Sequence, residues 1–162
     1  MWLFRNRVVQ VICLITFVLY TFSATRSSTV VVVSGDSMLP TYSDGDYLVV
    51  EEPTMENLES GFPVCWVRLD DGTDVIKRLV GLPGQTVELI DGTTFVNGKH
   101  IMDAVGDSVE DAVFVLEENQ YLFLGDNRPN SVDGRFWYPS YVGIENIKGV
   151  VPDSGLGGDA FE

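Results

Sequence analysis

Residues 61–84 read GFPVCWVRLDDGTDVIKRLVGLPG. The first half, 62–69, is rich in β-branched and aromatic side chains, which suit a pleated, half-buried surface. Asp70-Asp71-Gly72 then supplies the chemistry of a tight hairpin turn. Residues 74–80 are the return strand, and Gly81, Pro83 and Gly84 break it. The same grammar extends in both directions. Segments 86–90 and 93–96 flank Asp91-Gly92, and Asn97-Gly98 gives the next turn. Upstream, 30–33 and 46–51 read as strands; downstream, 121–124 is one and 141–151 holds one or two more. Residues 51–61 are an acidic loop with a helical turn, and 101–118 are acidic and weakly patterned, a loop or a small hairpin. Short strands separated by turn signals at intervals of about eight to twelve residues predict a mainly β domain, a sandwich or barrel. No internal repeat is present.

A chain of 162 residues holds one domain and, at most, an anchor. Its net charge is −14, from 10 basic and 24 acidic residues. Three of the basic residues, Arg5, Arg7 and Arg26, precede residue 27 and no acidic residue does, so the remainder carries 7 basic against 24 acidic, a net of −17. Such a body repels phosphate backbones, which argues against nucleic acid as a partner, and it does not favour adsorption to anionic lipid. Cys13 and Cys65 fall in an apolar segment and a predicted strand, so neither a disulfide nor a metal site is expected. His100 is the only histidine and follows a turn; a surface position is expected for it.

Residues 8–25 contain no charged side chain. Eighteen residues at the helical rise span roughly 27 Å, enough for a hydrocarbon core. Arg5 and Arg7 lie before the segment and the acidic body after it, which places the N-terminus in the cytoplasm and the body outside. A cleaved leader would put Thr21 and Ser23 at the positions before the cut, a poor match, so an uncleaved signal-anchor is preferred. The expected organisation is a cytoplasmic tip and transmembrane anchor at 1–26, an extracytoplasmic domain at 27–152 and a Gly- and Asp-rich flexible tail at 153–162.

Three stretches carry candidate chemistry. Val30 to Val33 form a β-branched strand that meets Gly35 and presents Ser37 at its end. A serine there is commonly a turn residue bonding its own backbone, but it is also where a rigid element holds an accessible nucleophile. Lys77 sits mid-strand with Val75 and Leu79 on its face. If that face is the core, desolvation favours the neutral amine and makes a general base; if it is the outer face, Lys77 is an ordinary surface lysine, and pattern alone leaves both open. Residues 125–135, GDNRPNSVDGR, pack acids, arginines and asparagines into one short loop. It reads either as a charged surface loop or as a hydrogen-bond net under a site.

Taken together and in order, the three stretches resemble the type I signal peptidases, membrane-anchored Ser-Lys peptidases. Ser37-Met-Leu-Pro-Thr41 resembles the family's nucleophile box, Lys77-Arg-Leu-Val-Gly-Leu-Pro-Gly84 its lysine box, and Gly125-Asp-Asn-Arg with Ser131-Val-Asp-Gly-Arg135 its third box. The resemblance runs from the anchor to about residue 151. It implies that Ser37 attacks the scissile carbonyl, that neutral Lys77 takes its proton, that Ser131 hydrogen-bonds and orients the lysine, and that Asp133 and Arg135 form a supporting ion pair. Asp126 and Arg128 would help hold the loop. The oxyanion would be held by the Ser37 N–H with help from the segment just before it.

The resemblance also implies a signal-peptidase-like β domain, membrane-bound preprotein substrates with small residues at −1 and −3, the lipid bilayer as partner, and neither metal nor organic cofactor. Val30–Val33 and the chain near Val75–Leu79 are the expected walls of the substrate pockets. Three departures stand out. Gly35 occupies the position where some members carry a serine that donates to the oxyanion. Gly134 replaces a serine common between the Asp and the Arg. Residues 97–120 leave no room for a large accessory β-domain. The competing reading is a non-catalytic relative serving as a chaperone in pilus or surface-protein assembly, in which the serine or the lysine should be missing; both are present.

Overall fold

The β-branched segments form strands, and the Asp-Gly and Asn-Gly pairs turn them. The computed structural model describes Val11, residues 28–103 and residues 111–152. The expected anchor at 8–25 (Val11 apart), Cys13 and the tail at 153–162 lie outside the described residues. Among the described residues no helix is long and apolar enough to cross a membrane.

The elements run β1 (Ser28–Val32), β2 (Tyr47–Glu51), a one-turn helix α1 (Met55–Leu58), β3 (Val64–Arg68), β4 (Asp74–Gly81), β5 (Thr86–Ile90), β6 (Thr93–Val96), β7 (Lys99–Asp103), β8 (Ala112–Val115), β9 (Leu122–Leu124) and β10 (Ile147–Val150). They build a six-stranded sheet in the order β1-β2-β10-β3-β4-β9 and a four-stranded sheet in the order β7-β6-β5-β8. The protein is therefore mainly β and antiparallel, as the turn spacing predicts. The turn residues adopt the left-handed backbone those turns need: φ is +86° at Gly72, +49° at Asp91 and +52° at Asn97. Thr54 and Asn57 cap α1 reciprocally, with Thr54 N–H donating to Asn57 Oδ1 over 2.7 Å and Asn57 N–H to Thr54 Oγ1 over 3.2 Å.

The described residues at the two ends of 101–118 depart from expectation. β7 and β8 do not pair with each other as a small hairpin: β7 pairs with β6, and β8 pairs with β5 on the other side of the same sheet. Acidic residues had masked the pattern, and the pairing of β8 is non-local, with Val87 opposite Phe114 and Leu89 opposite Ala112.

Side chains alternate along β4 and β9 between two cores. Leu79 and Phe123 join Leu58, Cys65, Val67 and Ile147 on one side. Val80, Leu122 and Leu124 join Val87, Leu89, Val96 and Met102, from the smaller sheet, on the other. A strand covered on both faces buries its polar residues too, so Lys77 and Arg78 are 5% and 8% exposed. Gly81 sits where the layers approach closely; a Cβ there would meet Val87 Cγ2 at 2.7 Å. Gly134 is explained in the same way, since a Cβ would lie 2.7 Å from Leu122 Cδ1 and from Ser140 O.

Candidate active site

The nucleophile candidate stands just after β1. Gly35 takes φ +83° and donates its N–H to Asp44 Oδ1 over 2.7 Å, which turns the chain back across the sheet edge. Met38 is fully buried and pins the turn, and Tyr42 N–H donates to Met38 O over 2.9 Å. Between these anchors Ser37 is half-buried. The expected help from the segment before Ser37 is not available from Gly35, because its N–H is held by Asp44.

Lys77 reaches Ser37 from β4. Its Nζ donates to Ser37 Oγ over 2.7 Å and to Ile76 O over 2.9 Å. Cys65 faces Lys77 across the β3–β4 ladder; its buried thiol is pushed well above the ordinary range and is chemically quiet. Burial lowers the Lys77 pKa, against the opposing pull of the Asp133 and Asp126 carboxylates. The lysine thus lies on the core face, the alternative that the sequence left open. A cleft of about 320 Å³ opens beside the pair, lined by Val31, Val33, Met38, Trp66, Val75 and Ile76 among others.

The loop at 125–135 is a net rather than a solvated surface. Asp133 is fully buried. Its carboxylate takes Arg135 Nε over 2.8 Å and Arg135 Nη2 over 2.9 Å, and also the Gly125 N–H over 2.8 Å. Arg135 Nη2 donates further to Arg128 O over 2.8 Å. Arg128 is buried, donating Nε to Gly125 O over 2.8 Å and Nη2 to Thr94 Oγ1, on β6, over 3.1 Å. Burial lowers its pKa to about 10, which leaves it charged at neutral pH. Asp126 turns the other way and is clamped by Arg78, with Nε and Nη2 each 2.7 Å from a carboxylate oxygen. Asp133 and Arg135 therefore form the expected ion pair.

Ser131 does not make the hydrogen bond expected of it. Its Oγ is buried and has no hydrogen-bond partner among the described residues, Lys77 included. The hydroxyl lies against Gly125 instead: a Cβ at Gly125 would clash with the Ser131 side chain and sit 2.7 Å from Ser37 O. Ser131 and the Ser37 main chain are thus packed onto the same glycine.

Sequence reasoning missed two participants. Trp66 lines the cleft because it is the ladder neighbour of Ile76; the alternation along β3 could have found it once the β4 face was known. Asn127 donates its N–H to Ser37 O and its Nδ2 to Asp36 O, each over 3.0 Å; no local pattern signals a contact across so many residues. His100 is exposed, as expected, and pairs with Asp103 over 3.0 Å. Among the described residues no group of His, Cys, Asp and Glu side chains is arranged to hold a metal ion.

The family described as signal peptidase, peptidase S26, matches residues 5–161. The chain belongs to this family. Similar proteins include a signal peptidase I of Leptolyngbya laminosa, 32% identical over 72% of this chain and 63% of that protein. A probable signal peptidase I-2 of Synechocystis is 31% identical over 80% of this chain and 59% of that protein. Signal peptidase I V of Bacillus subtilis is 30% identical over 75% and 82% of the two chains. The chain thus spans less than two thirds of the length of the first two. A solved signal peptidase I of Enterococcus faecalis aligns over 62% of this chain and 97% of its own, at 28% identity and a TM-score of 0.49. Within this S26 chain, the Ser37–Lys77 contact joins the first and second sequence boxes, and the Arg78–Asp126 pair joins the second and third.

Proposed function

We propose that this chain is a serine endopeptidase that removes N-terminal signal peptides from exported preproteins through a Ser37–Lys77 dyad and an acyl-enzyme. The observation that carries the reading is the 2.7 Å contact between Lys77 Nζ and Ser37 Oγ. Neutral Lys77 accepts the hydroxyl proton as Ser37 Oγ bonds to the scissile carbonyl carbon. The Ser37 N–H stabilises the oxyanion of the tetrahedral intermediate. The lysine ammonium returns the proton to the leaving amine, and the neutral amine then activates the water that hydrolyses the ester. Asp133 and Arg135 keep the floor rigid, and Ser131 packs beneath the dyad.

Substrate walls follow from the same cleft. Val31, Val33 and Ile76 are bulky enough to favour small side chains at −1 and −3, with Trp66 closing one side. The proposed setting is a single-pass cell-membrane protein with its N-terminus in the cytoplasm, its body outside, and residues 8–25 holding the site near bilayer-bound preproteins. The chaperone reading has no observation in its favour, because it requires neither the dyad nor a desolvated lysine.

The test is cleavage of a preprotein, with the product's new N-terminus sequenced. Ser37→Ala and Lys77→Ala should each lower kcat by about 10⁴-fold or more, since members of a catalytic unit act together, while the proteins remain folded by circular dichroism. A Lys77→Ala protein that cleaved at the parent rate would overturn the Ser-Lys assignment.

A further inference from the structure

The Ser37 N–H accepts its direction from the peptide plane it belongs to. In a trans peptide the carbonyl of one residue and the N–H of the next point opposite ways. The Asp36–Ser37 bond is trans, so whatever holds the Asp36 carbonyl aims the Ser37 N–H. Two donors hold it: Leu39 N–H from within the turn, over 3.2 Å, and Asn127 Nδ2 from the 125–135 loop, over 3.0 Å. Asn127 also donates its main-chain N–H to Ser37 O over 3.0 Å. One residue therefore grips the carbonyls on both sides of the nucleophile.

The grip is itself oriented. Asn130 Nδ2 donates to Asn127 Oδ1 over 3.2 Å, and Asn130 N–H donates to Asn127 O over 3.0 Å. A backbone carbonyl only accepts, so the Asn127 amide fits one way round, with Nδ2 toward Asp36. Arg128, next in the chain, ties the loop to buried Thr94, which keeps Asn127 from drifting. Two further observations give the arrangement a chemical purpose. The Ser37 N–H makes no hydrogen bond among the described residues, as befits a donor kept for a reacting group. Gly35 brings no side-chain donor, and its N–H is engaged by Asp44.

We propose that Asn127 is a positioning residue of the oxyanion site, aiming the Ser37 N–H by holding the Asp36 carbonyl; this rests on the Ser37–Lys77 peptidase reading. The experiment compares parent, Asn127→Ala, Asn127→Asp and Lys77→Ala as full-length proteins on one preprotein. Misdirecting an oxyanion donor should cost Asn127→Ala about 10–100-fold in kcat, somewhat less than deleting one. KM should stay within about threefold, and the midpoint of the alkaline rise should not move, because Lys77 is untouched. A peptide aldehyde, whose adduct with Ser37 carries the developing charge, should lose affinity in step with kcat/KM.

Asn127→Asp keeps the shape and the acceptor for Asn130, but it replaces the donor to Asp36 O with an acceptor and adds a negative charge beside the site. It should lose at least as much kcat, and it decides the matter if Asn127→Ala does not fold. Activity within about twofold of the parent in the folded variants, a loss confined to KM, or, in Asn127→Ala, a loss matched by a shifted alkaline midpoint would each overturn the proposal. A parent enzyme indifferent to Lys77→Ala would instead sink the Ser-Lys reading. Dependence on Lys77 with a silent Asn127 sinks this inference alone.

Discussion

Lys77 is a charged residue type held where charge is disfavoured, and its proposed function and the stability of the fold pull on it in opposite directions. Its pKa is lowered from 10.5 by burial. Activity should therefore rise with pH as the ammonium is lost, with a midpoint below 10.5; a pH profile of kcat/KM checks it, and a rate already maximal near pH 5 would contradict a lysine base. The stability consequence has a definite sign. Below the folded-state pKa both states hold the proton, and the native state bears the full penalty of a desolvated ammonium. Between the folded and unfolded pKa values the unfolded chain binds the proton that the native state lacks, so stability rises with pH until the penalty vanishes above 10.5. Lys77→Met should accordingly be inactive yet melt at a higher temperature than the parent at neutral pH, and the gap should narrow as the pH approaches 10. Melting curves across that range check it; a gap that widened with pH would show that Lys77 is not desolvated.

At the scale of elements, the 125–135 loop decides whether the proposed dyad has a floor. Asp133 has no exposed surface and answers Arg135 and the Gly125 N–H together. Removing one member of a buried pair leaves the other uncompensated, so Asp133→Ala should lower unfolding stability by about 3–5 kcal/mol, read from urea denaturation. The exposed Arg68–Asp74 pair on the β3–β4 hairpin should matter little by comparison. Gly125→Ala tests position instead of charge. The added Cβ meets the Ser131 side chain and Ser37 O, and a shift of the nucleophile by about 1 Å can lower kcat by about 100-fold. Steady-state kinetics on the folded variant give that number, and unchanged kcat would mean that the loop yields without moving Ser37. The hairpins around this loop were legible because Gly72, Asp91 and Asn97 announce their turns locally. The dyad partners were legible through three boxes taken together. What was not legible is tertiary: both faces of β4 are covered, β8 crosses to β5, Ser131 makes no hydrogen bond to Lys77, and Asn127 meets Ser37 across a long stretch of chain.

For the whole molecule, the proposed tether and the charge of the body would divide the work. Residues 27–162 carry a net charge of −17, counted as 7 basic against 24 acidic residues, so their surface is repelled by anionic lipid headgroups. In the proposed membrane setting, bilayer association would fall to residues 1–26, with their uncharged run at 8–25 and flanking arginines. A tether of this kind changes no contact in the active site; it raises the effective concentration of a substrate anchored in the same bilayer, by a factor on the order of 10²–10⁴ in well-matched cases. Deleting residues 1–26 should therefore leave cleavage of a free soluble peptide within about threefold, while cleavage of a vesicle-embedded preprotein falls by at least about tenfold. The deletion variant should also remain in the supernatant when spun with neutral or anionic vesicles. If it still pelleted, membrane contact would have to be credited to the body. Its candidate surface would be the exposed apolar strip that Val30, Val32, Tyr47 and Val49 form across β1 and β2, directly after the segment that had been removed.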